Sequence, residues 1–192
     1  GSGELHVSIC LDDLEKFYAK VPIKRSKPIV PYRETVTEEG TECKSKSANK
    51  HNKLFALAKP LNPDFVMACE QGLLTPTTDK LELAKIMVHE YGFDKKEVAS
   101  LWSFGPSFEN VNLFGDATES CNYIEEIKDS CIRAFEDICI GGVLADEPLQ
   151  GVSFELKDAT IHADNAHRGP SQIIPTMKRT LYGSQLLAKP RI

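Results

Sequence analysis

No stretch of this 192-residue sequence approaches the roughly 18 consecutive apolar residues that a membrane-crossing helix needs, so no spanning helix is expected. It has six cysteines but no Cys-x-x-Cys pair, and their irregular spacing fits neither a zinc site nor a secreted disulfide framework. A reduced, cytoplasmic setting is the expectation. Its first residues carry neither a starting Met nor a basic stretch leading into an apolar one, so no secretory leader is expected, and Gly1-Ser2 reads as a vector remnant. With 12 Gly and 11 Pro, collagenous and mucin-like readings drop out. There is no Gly-x-x-x-x-Gly-Lys-[Ser/Thr] loop, no His-Glu-x-x-His helix and no Gly-x-Ser-x-Gly elbow, which removes the commonest signatures of triphosphate hydrolysis, zinc proteolysis and ester hydrolysis. Internal repeats and low-complexity tracts are absent too.

What is present is an ordinary globular composition, 41% apolar and 27% charged, at a length that suits one large domain or one domain with appended pieces. The net charge of -5 conceals a segregation along the chain. Residues 43–63 contain Lys44, Lys46, Lys50, Lys53 and Lys59 with no acid, and residues 165–192 contain Arg168, Lys178, Arg179, Lys189 and Arg191 with no acid. These two segments carry +10 and the remainder -15. An acidic body with two cationic segments suits a protein that touches phosphates locally without adhering to nucleic acid everywhere; two ordinarily solvated faces would give the same pattern.

The pattern of elements is mixed α and β. Glu4 to Ile9 alternates like a strand, placing His6 in it, and Ile9 to Tyr18 has Leu11, Leu14 and Phe17 at helical spacing. Ile29 to Thr37 reads as an edge strand with Val30, Tyr32 and Val36 on one face. Leu54 to Ala58 is apolar throughout, as in a strand buried on both faces, and the polar run Lys44 to Lys53 before it reads as a hairpin loop. Asp79 to Tyr91, opened by an Asp79/Glu82 box and stopped by Gly92, and Asp94 to Trp102 read as two helices of an inserted subdomain, with Phe104-Gly-Pro-Ser107 as a turn. From Asn122 to Ile140, Ile124, Ile127, Cys131, Phe135 and Ile138 form a helical stripe, which assigns Cys121, Cys131 and Cys139 to core packing. Val152, Phe154 and Leu156 alternate as a strand before the phase slips to Ala159 and Ile161, predicting a bulge near Asp158. A final helix begins around Ser171 to Pro175 and offers Met177, Leu181 and Leu186 to the core.

The segment His162 to Gln172 is the richest in chemistry. His162, Asp164 and His167 are metal-ligand types, but no fourth ligand stands at recognisable spacing; Ser171 and His167 could form a nucleophile and base, with only Asp164 to orient them. The phosphate reading has more physics behind it. The loop runs straight into a helix N-terminus, Arg168 would supply a bidentate fork, and Lys46, Asn49, Lys50, His51 and Asn52 of the earlier hairpin add donors that RNA backbones and unstacked bases accept. Two such loops at one end of a domain would make one RNA-reaching tip.

Six ordered motifs carry a resemblance: Gly3-Glu-Leu-His-Val7, Tyr32-Arg-Glu-Thr-Val36, Ser47-Ala-Asn-Lys-His-Asn-Lys53, Ala145-Asp-Glu-Pro-Leu-Gln-Gly-Val152, His162-Ala-Asp-Asn-Ala-His-Arg-Gly169 and Gln172-Ile-Ile-Pro-Thr176. Together they resemble the elongation factor 2 family of eukaryotes and archaea from end to end. The resemblance implies the vector remnant plus the tail of domain III over 1–26, domain IV over 27–187 with a helical insertion at about 62–115, and the start of domain V at 188–192. It implies an α+β fold like domain 2 of ribosomal protein S5 with a left-handed crossover. It also implies a non-enzymatic, ribosome-binding arm of a translocation GTPase, whose GTP and magnesium sites belong to a domain outside this stretch, with no cofactor of its own. Its tip, comprising Asn49, Lys50, His51, Asn52, Lys53, His162, Asp164, Arg168 and Gly169, would meet rRNA, tRNA and mRNA in the A site, promote translocation and keep the reading frame. His167 would be the residue that dedicated enzymes convert to diphthamide and that ADP-ribosylating toxins attack. No membrane partner is implied. Gly169-Pro170-Ser171 stands where eukaryotic members usually have three glycines, and Asn165-Ala166 where Ala-Ile is usual, while Trp102-Ser-Phe-Gly-Pro106 looks eukaryotic. Paralogous ribosome-biogenesis and spliceosomal GTPases share the architecture and remain the alternative, together with a hydrolase centred on His162, Asp164, His167 and Ser171.

Overall fold

The computed structural model describes residues 3–27, 29–74, 79–107 and 110–192, so Gly1 and Ser2, read above as a vector remnant, lie outside the described residues. Two compact units divide the chain between Pro31 and Tyr32. In the first, helix α1 (Glu4–Asp13) continues into a π-helical stretch (Leu14–Ala19) that Lys20 ends in the left-handed region at φ 55°. Arg25 folds back to pair with Asp12 at 2.6 Å and Glu15 at 2.7 Å. The strand expected at Glu4 to Ile9, and with it the strand position of His6, is therefore replaced by helix. No residue of α1 is buried, so nothing here selects one apolar period over another.

The second unit is built on a five-stranded sheet. The strands are β2 (Cys43–Lys46), β3 (Lys53–Pro60), β4 (Leu101–Pro106), β5 (Val111–Asp116) and β6 (Val152–Thr160), in spatial order β2-β3-β6-β5-β4; β5 and β6 run parallel and the other neighbours antiparallel. On one face lie α5 (Ile124–Ile140) and α6 (Pro170–Leu187), whose Ile127, Cys131, Phe135, Ile138, Ile173, Met177 and Leu181 close over Leu54, Ala56, Phe114, Phe154 and Leu156. Burial pushes the Cys131 thiol up to about 12 and the Cys139 thiol upward too, as expected of sulfur acting as a small apolar group. Leu186, expected in this core, is solvent-facing. Gly105 lies beneath the Phe135 ring, where a Cβ would come within 2.7 Å of Cε1.

A second, smaller core lies around Phe65, Cys69, Leu83, Met87, Val111 and Leu113, gathered by α2 (Pro63–Glu70), α3 (Lys80–His89) and α4 (Lys95–Ala99). The stretch expected as a helical insertion is thus part helix and part sheet. The helix expected over Asp94 to Trp102 stops at Ala99, and Trp102, Phe104 and Gly105 lie in strand β4, not a turn, because β4 pairs with β5 from Leu101 to Pro106 with Trp102 bulged out of the register. Asp79 stands at the cap of α3 but makes no side-chain capping bond. In β6 the register against β3 slips between Phe55 and Ala56, which places the expected bulge at Lys157 beside Asp158.

The edge strand expected over Ile29 to Thr37 shrinks to β1 (Thr35–Val36), paired with β7 (Pro190–Arg191), and Ile29, Val30 and Tyr32 are exposed. Its anchor is Glu34, fully buried beside the chain at Leu149. The Glu34 carboxylate accepts the N–H groups of Leu144 (2.9 Å), Ala145 (2.7 Å) and Glu147 (3.3 Å) and the side-chain amide of Gln185 (3.1 Å). Gly142 makes room, since a Cβ there would meet Oε2 at 2.4 Å.

On the opposite face of the sheet Lys59 bridges Glu97 and Glu155, and Glu155 also takes Lys157 at 2.7 Å. Burial alone would raise the Glu155 carboxyl, but the ammonium groups of Lys157 and Lys59 outweigh it and hold the carboxyl below its ordinary range. Lys59 is likewise depressed by burial yet raised overall by Glu155 and Glu97.

Two outcomes follow from these buried charges. Glu34→Gln replaces one acceptor oxygen by an NH2 donor that faces N–H donors, and is expected to cost about 2–4 kcal/mol, read as a lower urea midpoint at unchanged slope; a midpoint within error of the parent contradicts the anchor. Because the Glu155 carboxyl is depressed on folding, its contribution is full above its ordinary value of 4.5 and fades as pH falls through the folded value. Glu155→Gln should flatten the acid limb of the stability curve, and superimposable curves would refute the pairing.

Candidate functional site

The hairpin between β2 and β3 and the loop between β6 and α6 meet at one end of the sheet, because β3 and β6 are neighbours and pair as far as Lys53↔Thr160. In the first loop Ser47 opens a turn with Lys50 N–H on its carbonyl at 2.8 Å, and Lys50 takes the left-handed conformation at φ 63°. In the second, Asp164 accepts Ala166 N–H and caps a single 3-10 turn over Asn165–His167.

Asn52 joins the two. Its amide is fully buried, donates to the His167 carbonyl at 2.8 Å and accepts the His162 N–H at 3.0 Å. Asn49 gives a second donor to the same His167 carbonyl at 2.8 Å, and its own N–H is received by Gln172 at 3.1 Å. The backbone at His167 is thereby fixed from the other loop while its side chain stays 42% exposed. Around it three imidazoles converge: ring centroids are 4.6 Å apart for His51 and His167, 4.8 Å for His162 and His167, and 4.9 Å for His51 and His162. His162 accepts the Asp164 N–H at Nδ1, at 3.0 Å, which puts the proton of the neutral ring on Nε2. Asp164 Oδ2 stands 4.0 Å from His167 Nε2. Among the described residues no three His, Cys, Asp or Glu side chains are arranged to hold a metal ion.

Two expectations change. Arg168 is not a free phosphate fork: its side chain is only 7% exposed, Nε and Nη2 are spent on Glu126, Nη1 on the His162 and Ala163 carbonyls, and its guanidinium lies 4.3 Å from the centre of the Tyr123 ring. It is the internal brace of the loop. The anion-binding helix start also shrinks, since Pro170 has no N–H and Gln172 N–H is taken by Gly169 at 2.9 Å, leaving Ser171 as the one unpartnered first-turn donor among the described residues. Gly169 caps α6 in extended conformation. Lys50 and His51 are exposed, and Lys53 is half-buried where β3 leaves the tip loop. Glu126 and Tyr123 were missed by sequence reasoning, for they lie in and before the solvent-facing stripe of α5, 42 or more positions from Arg168.

The family model for elongation factor G, domain IV, matches residues 67–189, more than half of the chain.

Asn52→Ala removes the amide that spans both loops. It should lower stability by about 2–3 kcal/mol and abolish nuclear Overhauser contacts between the His51 and His167 rings; contacts that persist at unchanged stability would show that the loops are held otherwise.

Proposed function

We propose a function from one premise: this chain belongs to the elongation factor G, domain IV, family. It is accordingly a translation elongation factor domain of the kind concerned with translocation, and its business is with the ribosome. Among the described residues no helix is long and apolar enough to cross a membrane.

Beyond that, the reading we favour is an elongation factor 2 arm, domain IV with a short tail of domain III before it and the first residues of domain V after it, working in the cytoplasm. The arm does no chemistry itself; GTP and magnesium act in another domain of the parent protein. Its two-loop tip reaches tRNA, mRNA and rRNA in the A site, so that the codon–anticodon pair cannot slip back as the parent changes shape. His167 is the site of diphthamide formation and of toxin ADP-ribosylation. The observation that carries this reading is the His167 geometry: backbone clamped by Asn49 and Asn52, imidazole part-exposed among His51 and His162 at the apex. A residue that must meet both a modifying enzyme and a moving RNA needs that combination of fixed origin and accessible ring. Lys50, exposed beside it, supplies charge for phosphate contact.

In the full factor, His167→Ala should raise frameshifting several-fold while moving the melting temperature by no more than about 2 °C. Lys50→Gln should weaken ribosome binding and reduce the salt slope by about one. Normal frame maintenance in the first variant would remove the role of His167, and an unaltered slope in the second would remove phosphate contact at the apex.

A further inference from the structure

The face of the sheet turned away from α5 and α6 is covered only in part. Helices α2, α3 and α4 shelter Val111 and Leu113 of β5, and α4 reaches Lys59 through Glu97. Nearer the tip, the outward residues of β2, β3 and β6 form cross-strand rows that remain open. One row is Lys46, Lys53 and Thr160, and the next is Lys44, Phe55 and Asp158. Lys44, Lys46, Asp158 and Thr160 are exposed, and Lys53 and Phe55 are half-buried.

Lys46 and Lys53 stand directly opposite one another across an antiparallel pair, a placement that repels and weakens a hairpin. Neither has an ion-pair partner among the described residues, whereas Lys178, Lys189 and Arg168 each have one and Lys59 has two. Lys44 is also unpaired to any acid, and its ammonium is seated over the Phe55 ring, 5.2 Å from the centroid. Arg179 of α6 adds a fourth cation at this edge, held by the Lys46 carbonyl at 2.9 Å. The single acid in these rows, Asp158, lies at the end farther from β2. A like-charged pair kept open to solvent is a cost to the fold that an incoming anion would offset.

We propose that this open face, with Lys44 and Lys46 as its own contacts and Lys53 shared with the tip, extends the tip into a second binding surface for the phosphate backbone of RNA along the flank of the sheet. The ammonium over Phe55 covers the ring, so the aromatic positions Lys44 and does not stack bases; recognition is of backbone charge, without sequence preference. RNA is favoured over an acidic protein because the cations are spaced along strands, matching a repeating linear charge, and the inference rests on the tip being ribosome-facing. It separates two jobs, with the apex reading geometry at the codon and the flank holding a neighbouring RNA strand.

The test is anisotropy titration of this chain with a labelled RNA hairpin across a salt series, for the parent, Lys44→Gln/Lys46→Gln and Lys50→Gln, with polyglutamate as competitor and melting curves for Lys46→Gln. The flank variant should bind about tenfold more weakly with a salt slope smaller by about two. Lys46→Gln should melt no lower than the parent, since it relieves repulsion, and polyglutamate should displace the hairpin poorly. Unchanged affinity in the flank variant with a weakened Lys50→Gln overturns this inference alone; unchanged affinity in both removes the RNA-reaching tip as well. Efficient displacement by polyglutamate overturns the choice of RNA, and a lower melting temperature for Lys46→Gln overturns the strained-pair argument.

Discussion

The tip depends on one buried amide. Asn52 satisfies the backbone of His167 and of His162 at once, from a loop 110 and 115 positions away in sequence. Left unpaired in that setting, each of its polar atoms would be costly, so the two loops have one low-energy arrangement and not a family of them. The histidine cluster is a result of this arrangement; none of the ring contacts would survive if the loops slid past each other by a residue.

Charge is less segregated in space than along the chain. Of the ten cations that sequence places in two acid-free segments, Lys59, Arg168, Lys178 and Lys189 reach across to acids of the body. What stays unpaired is concentrated about the β2–β3 hairpin. The acidic body therefore serves partly to neutralise the cations that hold the fold; among the described residues, Lys44, Lys46, Lys50, Lys53 and Arg179 about the hairpin, and Arg191 in β7, are left without an acidic partner.

Elements with one dominant period and a real core behind them were legible from sequence: β3, the α5 stripe, β6 with its bulge, and α6; but β3, expected to be buried on both faces, is buried on one face only near the tip, where Phe55 is half-buried. The failures share a cause. In α1 nothing is buried, so alternation at Leu5, Val7 and Ile9 meant nothing. Around Leu101 to Gly105 a capped helix start misled, because β5 supplies a partner that local spacing does not reveal. Of the site, the two loops, their junction and the histidines were visible as motifs. The burial of Arg168 was not, because a guanidinium looks the same in sequence whether it faces solvent or Glu126 and Tyr123.

The two loops are carried on β3 and β6, eight and nine residues long, paired from Lys53↔Thr160 to Pro60↔Val152 except at the bulged Lys157. At about 3.3 Å per residue that is a strut of roughly 26 Å with the apex at one extremity and the Glu34 knot near the other. A push on His167 along the strands loads many ladder bonds in shear together, so the arm deflects little and passes thrust to its base. A sideways push is carried by the neighbouring strands and by α5 and α6, and the weakest point of the ladder itself is the bulge at Lys157, where the pairing skips a residue.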